Sequence, residues 1–411
     1  MTPPPEVTRG TQPSGITSGT QRPGAATPGT RPPETTHQTR TAQIAVTTPR
    51  RPRPRWVPLL MAGGGVSLLA GLWAGLLLLG VPLPAGERLA DGHGVFMTLG
   101  FLGTLIALER AVALGAGWAY LAPAAAGAGA LALVAGAPAG LGQALLAAGG
   151  AVLVAIYAAV HGIQPSLHNT VQAVGAACWT VAAGLWLAGW DIPRIVPWLA
   201  GFLVLTIAGE RLELSRMTGA TPRSRQLFVG VVGLLTAGLV ASLVDEELGV
   251  RVAGAGLLGL AAWLATSDIA RRTVRARGVT RYMAVALLGG YGWLAVAGVL
   301  WLADGTMTSA ATYGAMLHAL FLGFVITMVF AHAPVIIPAV LGVRLPYHPL
   351  LYAPLALLHA SLVLRLVGGD AVGSAVAWQW GGVLNEVAIL LYVAVAAARV
   401  AGARVTRRAP A

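Results

Sequence analysis

Two histidines in separate apolar stretches are the residues of this chain whose type and position best fit cofactor chemistry. His93 lies in GHGVFMTLGFLG and His318 lies in GAMLHALFLGFVITMVF. A histidine inside a membrane is costly to leave without a partner, so it usually faces a hydrogen-bond donor or acceptor, a cavity or a cofactor. Two imidazoles at similar depth can fill both axial positions of one haem iron. The alternative is that each ring is hydrogen-bonded to backbone or water.

The segments that carry these histidines belong to a strongly apolar chain. Of the 411 residues, 56% are hydrophobic and 10% are charged, and the mean hydropathy is +0.72. A soluble domain of this size and composition would have too few polar residues to cover its surface. Runs of about 20 apolar residues recur after residue 55, and each is long enough to cross a bilayer. The fold class predicted is an all-α polytopic membrane protein with about 12 transmembrane helices.

The twelve predicted spans lie near 56–81, 89–113, 118–138, 141–161, 168–189, 194–212, 226–244, 249–267, 281–303, 311–338, 348–367 and 375–400.

The chain divides by composition into three parts. Residues 1–55 are rich in Pro, Thr, Gly and Arg and cannot bury enough apolar surface to offset their ordering entropy, so they are predicted to be a disordered cytoplasmic tail. Residues 56–402 form the predicted transmembrane domain, and 403–411 form a short basic tail. The single cysteine, Cys178, lies in an apolar stretch, which excludes a disulfide framework and a cysteine-based metal site.

The distribution of arginine predicts how the chain is inserted. With the N-terminus inside, all but four of the 27 basic residues fall on the inner side, the exceptions being Arg88, Arg194, Arg251 and Arg365. Such a bias is typical of cytoplasmic loops. We therefore expect both termini to be cytoplasmic in a multi-pass protein of a prokaryotic cytoplasmic membrane. The net charge of +12 then reflects insertion and contact with anionic lipid, and not nucleic-acid binding.

Depth estimates add further candidates for the site. At a rise of about 1.5 Å per residue, His93, His318 and His359 lie roughly 6, 10 and 12 Å from the outer ends of their spans. His359 is therefore a third candidate metal ligand. Arg365 lies close to the same face and could pair with the propionates of a haem, as could Arg88 or Arg194. These arginines could equally be extending to the interface.

A secondary transporter is the alternative interpretation. Glu386, near mid-depth of the last span, and His332 in the tenth could line a proton path without any haem. Discontinuous helices in matching halves would support transport, and AHAPVIIPAV in the second half has no clear counterpart in the first.

A weak internal repeat predicts a threefold arrangement of the helices and not the two matching halves of a transporter. The second span ends in LIALERAVALG and the sixth in LTIAGERLELSR, and the tenth span follows after four more helices. A period of four helices is what a pseudo-threefold arrangement of twelve helices would show.

The histidine-bearing segments resemble a known family. HGVFMTLGFLGTLIALERAV resembles the second helix of haem–copper oxidase subunit I, and LHALFLGFVITMVFAHAPVIIPAVLG resembles its tenth. The resemblance implies that His93 and His318 are the axial pair of a low-spin haem b. It also implies a twelve-helix fold with both termini inside.

The chain departs from the oxidases at the oxygen-reducing centre. Met316 stands where the oxidases have a second histidine, and the sixth and seventh spans contain no histidine. No intact oxygen-reductase centre is therefore expected, and copper binding is left open. The chain is most similar to NnrS-type haem-containing membrane proteins, which carry a late HAL motif, here His318-Ala319-Leu320.

The resemblance implies a role in electron transfer or in nitric oxide and nitrogen-oxide metabolism. The partners expected are the lipid bilayer, a quinol or cytochrome electron donor, and a small diatomic ligand.

Overall fold

The computed structural model describes most of the transmembrane part of the chain. The described residues are 54–84, 89–215, 221–306 and 310–405. Of the predicted disordered tail, 1–55, only residues 54 and 55 lie within these ranges, and of the predicted basic tail, 403–411, only residues 403–405 do.

Twelve helices long and apolar enough to cross a membrane form this part of the chain, and the described residues contain no β-strand. The prediction of an all-α polytopic membrane protein is confirmed. The helices are α1 (Val57–Leu78), α2 (His93–Leu114), α3 (Gly117–Ala135), α4 (Ala139–Ile163), α5 (Leu167–Leu187), α6 (Ile192–Ser215), α7 (Pro222–Ala241), α8 (Glu246–Ser267), α9 (Gly278–Asp304), α10 (Thr312–Leu341), α11 (Pro349–Ala371) and α12 (Ala375–Ala403).

Local sequence explains where several helices begin. Ser166, Thr221 and Asp245 precede α5, α7 and α8, and each side chain accepts a hydrogen bond from a backbone N–H of the first turn. These bonds satisfy donors that have no partner within the helix. In α7, Pro222 follows the capping residue, where its missing N–H costs nothing.

Helix α10 continues beyond the predicted end at Pro338, because its prolines are accommodated within the helix. Pro334 has no N–H to donate to the carbonyl of Phe330. That carbonyl instead accepts hydrogen bonds from the hydroxyls of Tyr282 at 3.3 Å and Tyr392 at 2.8 Å. The two tyrosines belong to α9 and α12, so the missing backbone bond is replaced by links to two neighbouring helices.

The centre of the helical bundle is formed by α2, α6 and α10, which contact one another pairwise. Helix α6 is buried over most of its length, and its consecutive residues Phe202, Leu203, Val204 and Leu205 are all enclosed. A helix that is apolar on every side belongs in the core. Along the chain, the three central helices follow one another at intervals of four helices, which is the period of the weak repeat.

Three π-helical segments interrupt the α-helices, at Phe96–Gly103 in α2, Ala319–Ile326 in α10 and Leu364–Ala371 in α11. Well under 1% of residues in proteins are π-helical, and π-bulges are frequent at functional sites. The first two segments share the pattern Gly-Phe-X-X-Thr, whose threonine is the first residue after the π-helix. The first begins three residues after His93, and the second begins directly after His318.

Small residues allow α7, α8 and α9 to pack closely. A Cβ atom at Gly256 of α8 would lie 2.6 Å from the Cα of Leu235 in α7, and one at Gly298 of α9 would lie 2.6 Å from the backbone nitrogen of Leu258 in α8. In lipid, such close approach of backbones supplies much of the attraction between helices.

Gly256→Ala should therefore lower the free energy of unfolding by about 1–3 kcal/mol, because the added methyl overlaps backbone that cannot move aside. Thermal unfolding of the purified protein in detergent measures the effect. The matched control is Gly233→Ala in α7, where a Cβ meets nothing within 4 Å and the substitution should leave the melting temperature unchanged or raise it. Equal melting temperatures for the two variants would contradict close backbone packing.

Candidate cofactor-binding site

His93 is held at the beginning of α2 by a hydrogen bond to α1. Its Nδ1 lies 2.8 Å from the carbonyl oxygen of Gly71. A carbonyl can only accept, so Nδ1 carries the proton and the lone pair of the ring is on Nε2. The part of the chain that the structure describes offers no hydrogen bond to Nε2.

His318 has the same protonation pattern in α10. Its Nδ1 donates to the carbonyl oxygen of Gly314, one turn earlier, at 2.6 Å. Here too the described residues provide no partner for Nε2. A ligating histidine usually donates its other ring N–H to a carbonyl or carboxylate, which fixes the tautomer and raises the basicity of the ligating nitrogen. Both histidines therefore present a lone pair on Nε2 that no described residue occupies.

The two imidazoles lie in one neighbourhood of the protein interior. His93 and His318 interact electrostatically with each other, and both interact with the guanidinium of Arg365 in α11. Both residues are surrounded by protein, yet each keeps partial accessible surface. Free space is therefore present beside them. The structure thus brings together the three residues that the sequence assigned to cofactor binding.

Arg365 is buried among small residues and one aromatic ring. Its guanidinium lies over the ring of Trp378 at 4.9 Å, and a Cβ at Gly381 would approach the Cβ of Arg365 to 2.6 Å. The guanidinium interacts electrostatically with Asp370 and Glu386, but the described residues place no carboxylate within 4.0 Å of it. Its buried Nε has no hydrogen-bond partner.

Two more buried polar atoms without a partner occur on the neighbouring helices α11 and α12. They are Oδ2 of Asp370 and Nδ2 of Asn385, whose Oδ1 accepts a hydrogen bond from Ser361 at 2.6 Å. Unpaired buried polar groups are rare in proteins, and each calls for an explanation. A bound molecule with charged groups at this end of the helices would provide the missing partners.

Glu386 belongs to the same cluster, which sequence reasoning did not show. A Cβ at Gly75 in α1 would collide with Oε1 of Glu386 and would lie 3.1 Å from Cε1 of His93. The carboxylate of α12 and the imidazole of α2 therefore converge on one glycine of α1. The prediction that Glu386 and His332 line a proton path stays untested. Glu386 lies beside Gly75 and His93, whereas His332 bonds to Met328 and Arg211.

His359 differs from the other two histidines in its protonation. Its Nδ1 lies 2.8 Å from Nε1 of Trp293, and an indole nitrogen can only donate. Nδ1 therefore holds the lone pair, and Nε2 of the neutral ring holds the proton. The two rings are parallel and lie side by side, with their centroids 6.5 Å apart. The hydrogen bond from α9 therefore orients His359, and the neutral ring has no free nitrogen for a metal. The prediction that His359 is a metal ligand gains no support from this arrangement.

His332 has both ring nitrogens occupied. Nδ1 donates to the carbonyl of Met328 at 2.6 Å, and Nε2 accepts from Arg211 at 2.7 Å. Nη1 of Arg211 also lies 4.0 Å from Oδ2 of Asp268. The two segments of the weak repeat, LIALERAVALG and LTIAGERLELSR, contact each other here, because Nη2 of Arg110 lies 2.9 Å from Oε1 of Glu210. Helices α2, α6 and α10 thus share a polar cluster at their other ends.

Two histidines and one arginine suit haem better than a bare metal ion. Among the described residues there is no group of three or more His, Cys, Asp or Glu side chains that could hold a metal ion. A haem brings four of its own nitrogens and needs the protein to supply only axial ligands and partners for its propionates. The free Nε2 atoms and the unpaired guanidinium nitrogen match this requirement.

The fold defines the chain as a multi-pass integral membrane protein with twelve transmembrane helices. The model of one protein family, described as a domain of unknown function (DUF8744), matches residues 56–401. Since this match covers more than four fifths of the 411 residues, the chain belongs to that family. No curated protein matches the chain.

Gly75→Ala should lower the melting temperature, because its methyl would displace Glu386 and press on the His93 ring. Glu386→Ala should relieve most of this effect, so that the two substitutions couple favourably by about 0.5–3 kcal/mol in a double-mutant cycle. Thermal unfolding of wild type, both single variants and the double variant measures the coupling. Strictly additive effects would show that the two residues do not share this space.

Proposed function

We propose that this chain is a haem-binding membrane protein in which Nε2 of His93 and Nε2 of His318 are the axial ligands of one haem b. The observation that carries the proposal is their matched protonation. Each ring donates Nδ1–H to a backbone carbonyl, at 2.8 and 2.6 Å, and keeps Nε2 free. The resemblance of the two segments to the second and tenth helices of haem–copper oxidases supports the same pair.

The chain's own residues orient these ligands. The carbonyl groups of Gly71 and Gly314 hold the tautomers and increase the basicity of Nε2. Gly75 of α1 leaves room for the imidazole of His93, because a Cβ there would lie 3.1 Å from Cε1 of the ring. The π-helical segments, which begin three residues after His93 and directly after His318, widen α2 and α10.

Arg365 supplies positive charge at the same place. Its unpaired Nε and its electrostatic contact with both imidazoles suit the binding of haem propionates. Asp370 and Glu386 partly balance that charge. The arginine would therefore bind and orient the acidic edge of the cofactor.

Two axial imidazoles favour electron transfer as the role. When bound, haem supplies a one-electron couple between ferric and ferrous iron, and the protein tunes it through axial ligation and burial. We include no copper centre, because the sixth and seventh spans lack histidines. The alternative role is binding of a small diatomic such as nitric oxide. That role would require His93 or His318 to give up its axial position to the diatomic.

The arginine distribution supports a cytoplasmic location for both termini in a prokaryotic cytoplasmic membrane. In that orientation His93 and His318 lie near the outer face. A quinol in the bilayer or a cytochrome outside it could then donate electrons.

His93→Ala and His318→Ala should each abolish the low-spin spectrum of the dithionite-reduced protein or convert it to a high-spin one, because each removes one axial nitrogen. Optical spectra of purified protein, together with an iron determination, measure this effect.

The matched control for these variants is His359→Ala. It removes a histidine of predicted similar depth whose lone pair is already bonded to Trp293, so the parental spectrum should persist. Wild-type protein without a Soret band or bound iron would refute haem binding. A parental spectrum in both His93→Ala and His318→Ala would refute the axial assignment.

Arg365→Gln should lower the midpoint potential of the haem, because a nearby positive charge favours the ferrous state, which is less positive. Coulomb's law with an effective dielectric of about 20 gives a shift on the order of tens of millivolts. Arg194→Gln, which removes an exposed arginine over Trp190, should leave the potential unchanged. A redox titration followed at the Soret band distinguishes the two, and equal potentials would exclude a role for Arg365.

A further inference from the structure

A large cavity lies between α1, α2, α6, α10 and α12, apart from the histidine cluster. Its volume is about 510 Å³, and its wall is almost entirely apolar. Along α10 the lining runs from Val325 to Leu341, which corresponds to about 24 Å of helix. A cavity of this size and elongated form is suited to a ligand with a long apolar part.

Two carboxylates interrupt the apolar wall of the cavity. Glu109 of α2 and Glu210 of α6 line it, and their side chains keep 25% and 23% of their surface exposed. One oxygen of each, Oε1, is bonded to Arg110 at 3.2 and 2.9 Å. For the second oxygen, Oε2, the described residues provide no hydrogen-bond partner. His332 also lines the cavity, but both of its nitrogens are already bonded.

Aromatic rings lie in the same wall. Phe330 and Tyr392 are stacked with their centroids 3.9 Å apart, and Phe101 lines the side formed by α2. Towards the end of α12 the lining residues Val393, Ala397 and Ala401 are exposed. Because this surface faces lipid in a transmembrane helix, the cavity can be reached from the bilayer.

We propose that this cavity binds an isoprenoid quinol, with its hydroxyl groups donating hydrogen bonds to Glu109 and Glu210. The aromatic residues would contact the quinol ring, and the isoprenoid tail would follow α10 and α12 towards the lipid. Two carboxylates with accessible oxygens require hydrogen-bond donors. A phospholipid offers an anionic phosphate instead, which the carboxylates repel. The proposal concerns binding and does not rest on the presence of haem.

The experiment is a direct binding titration of the full chain in phosphatidylcholine nanodiscs, with decylubiquinol as the probe. Gly65→Leu tests the cavity, because Gly65 lines it and a Cβ there meets nothing within 4 Å. Gly184→Leu in α5 is the matched control, since it is equally free of contacts and lies outside the cavity. We expect Gly65→Leu to weaken binding at least tenfold and Gly184→Leu to leave it unchanged.

A second titration tests the head group without any substitution. Decylubiquinone has the same ring and tail but only acceptors, so wild-type protein should bind it at least tenfold more weakly than decylubiquinol. Equal affinities for the quinol and the quinone, equal affinities of wild type and Gly65→Leu for the quinol, or retention of phospholipid that the quinol does not displace would each overturn the proposal. Loss of haem from the preparation would affect the spectra described above but not these titrations.

Discussion

The candidate site depends on the need of every buried imidazole N–H for a hydrogen-bond acceptor. Leaving such a donor unpaired in an apolar interior costs on the order of 1–3 kcal/mol. In His93 and His318 the acceptor is a backbone carbonyl one helix away or one turn back. Because the carbonyl determines which nitrogen carries the proton, it also determines which nitrogen is free to bind a metal. A backbone contact thereby controls the chemistry of the side chain.

The same reasoning separates the four histidines of the helical interior that the sequence singled out. His332 also donates Nδ1–H to a carbonyl of its own helix, but Arg211 occupies its Nε2. In His359 the indole of Trp293 occupies Nδ1. Residue type is the same in all of them, and His93, His318 and His359 also have similar predicted depths. Their neighbours on other helices decide which ones keep a free lone pair.

Helices α2, α6 and α10 connect two polar regions within an otherwise apolar bundle. At one end, α2 and α10 carry the histidines beside Arg365. At the other, Arg110 joins Glu109 to Glu210, and Arg211 joins His332. Polar groups in a membrane interior are stable when they satisfy one another. The first region has unpaired atoms beside the histidines. In the second, Arg110 bonds Oε1 of Glu109 and of Glu210, and the described residues leave the two Oε2 atoms without a hydrogen-bond partner at the cavity.

The sequence by itself determined the twelve helices, because a span is set by length and hydropathy, which are local properties of the chain. It also singled out His93, His318 and Arg365 as candidate site residues, because polar residues stand out in apolar stretches. It could not place Glu386 beside His93, assign the protonation of His359, or reveal the cavity beside Glu109 and Glu210. These features depend on which helices become neighbours and how their side chains face one another. Only the tertiary structure decides that, because the residues concerned are separated by up to about three hundred positions and no local pattern links them.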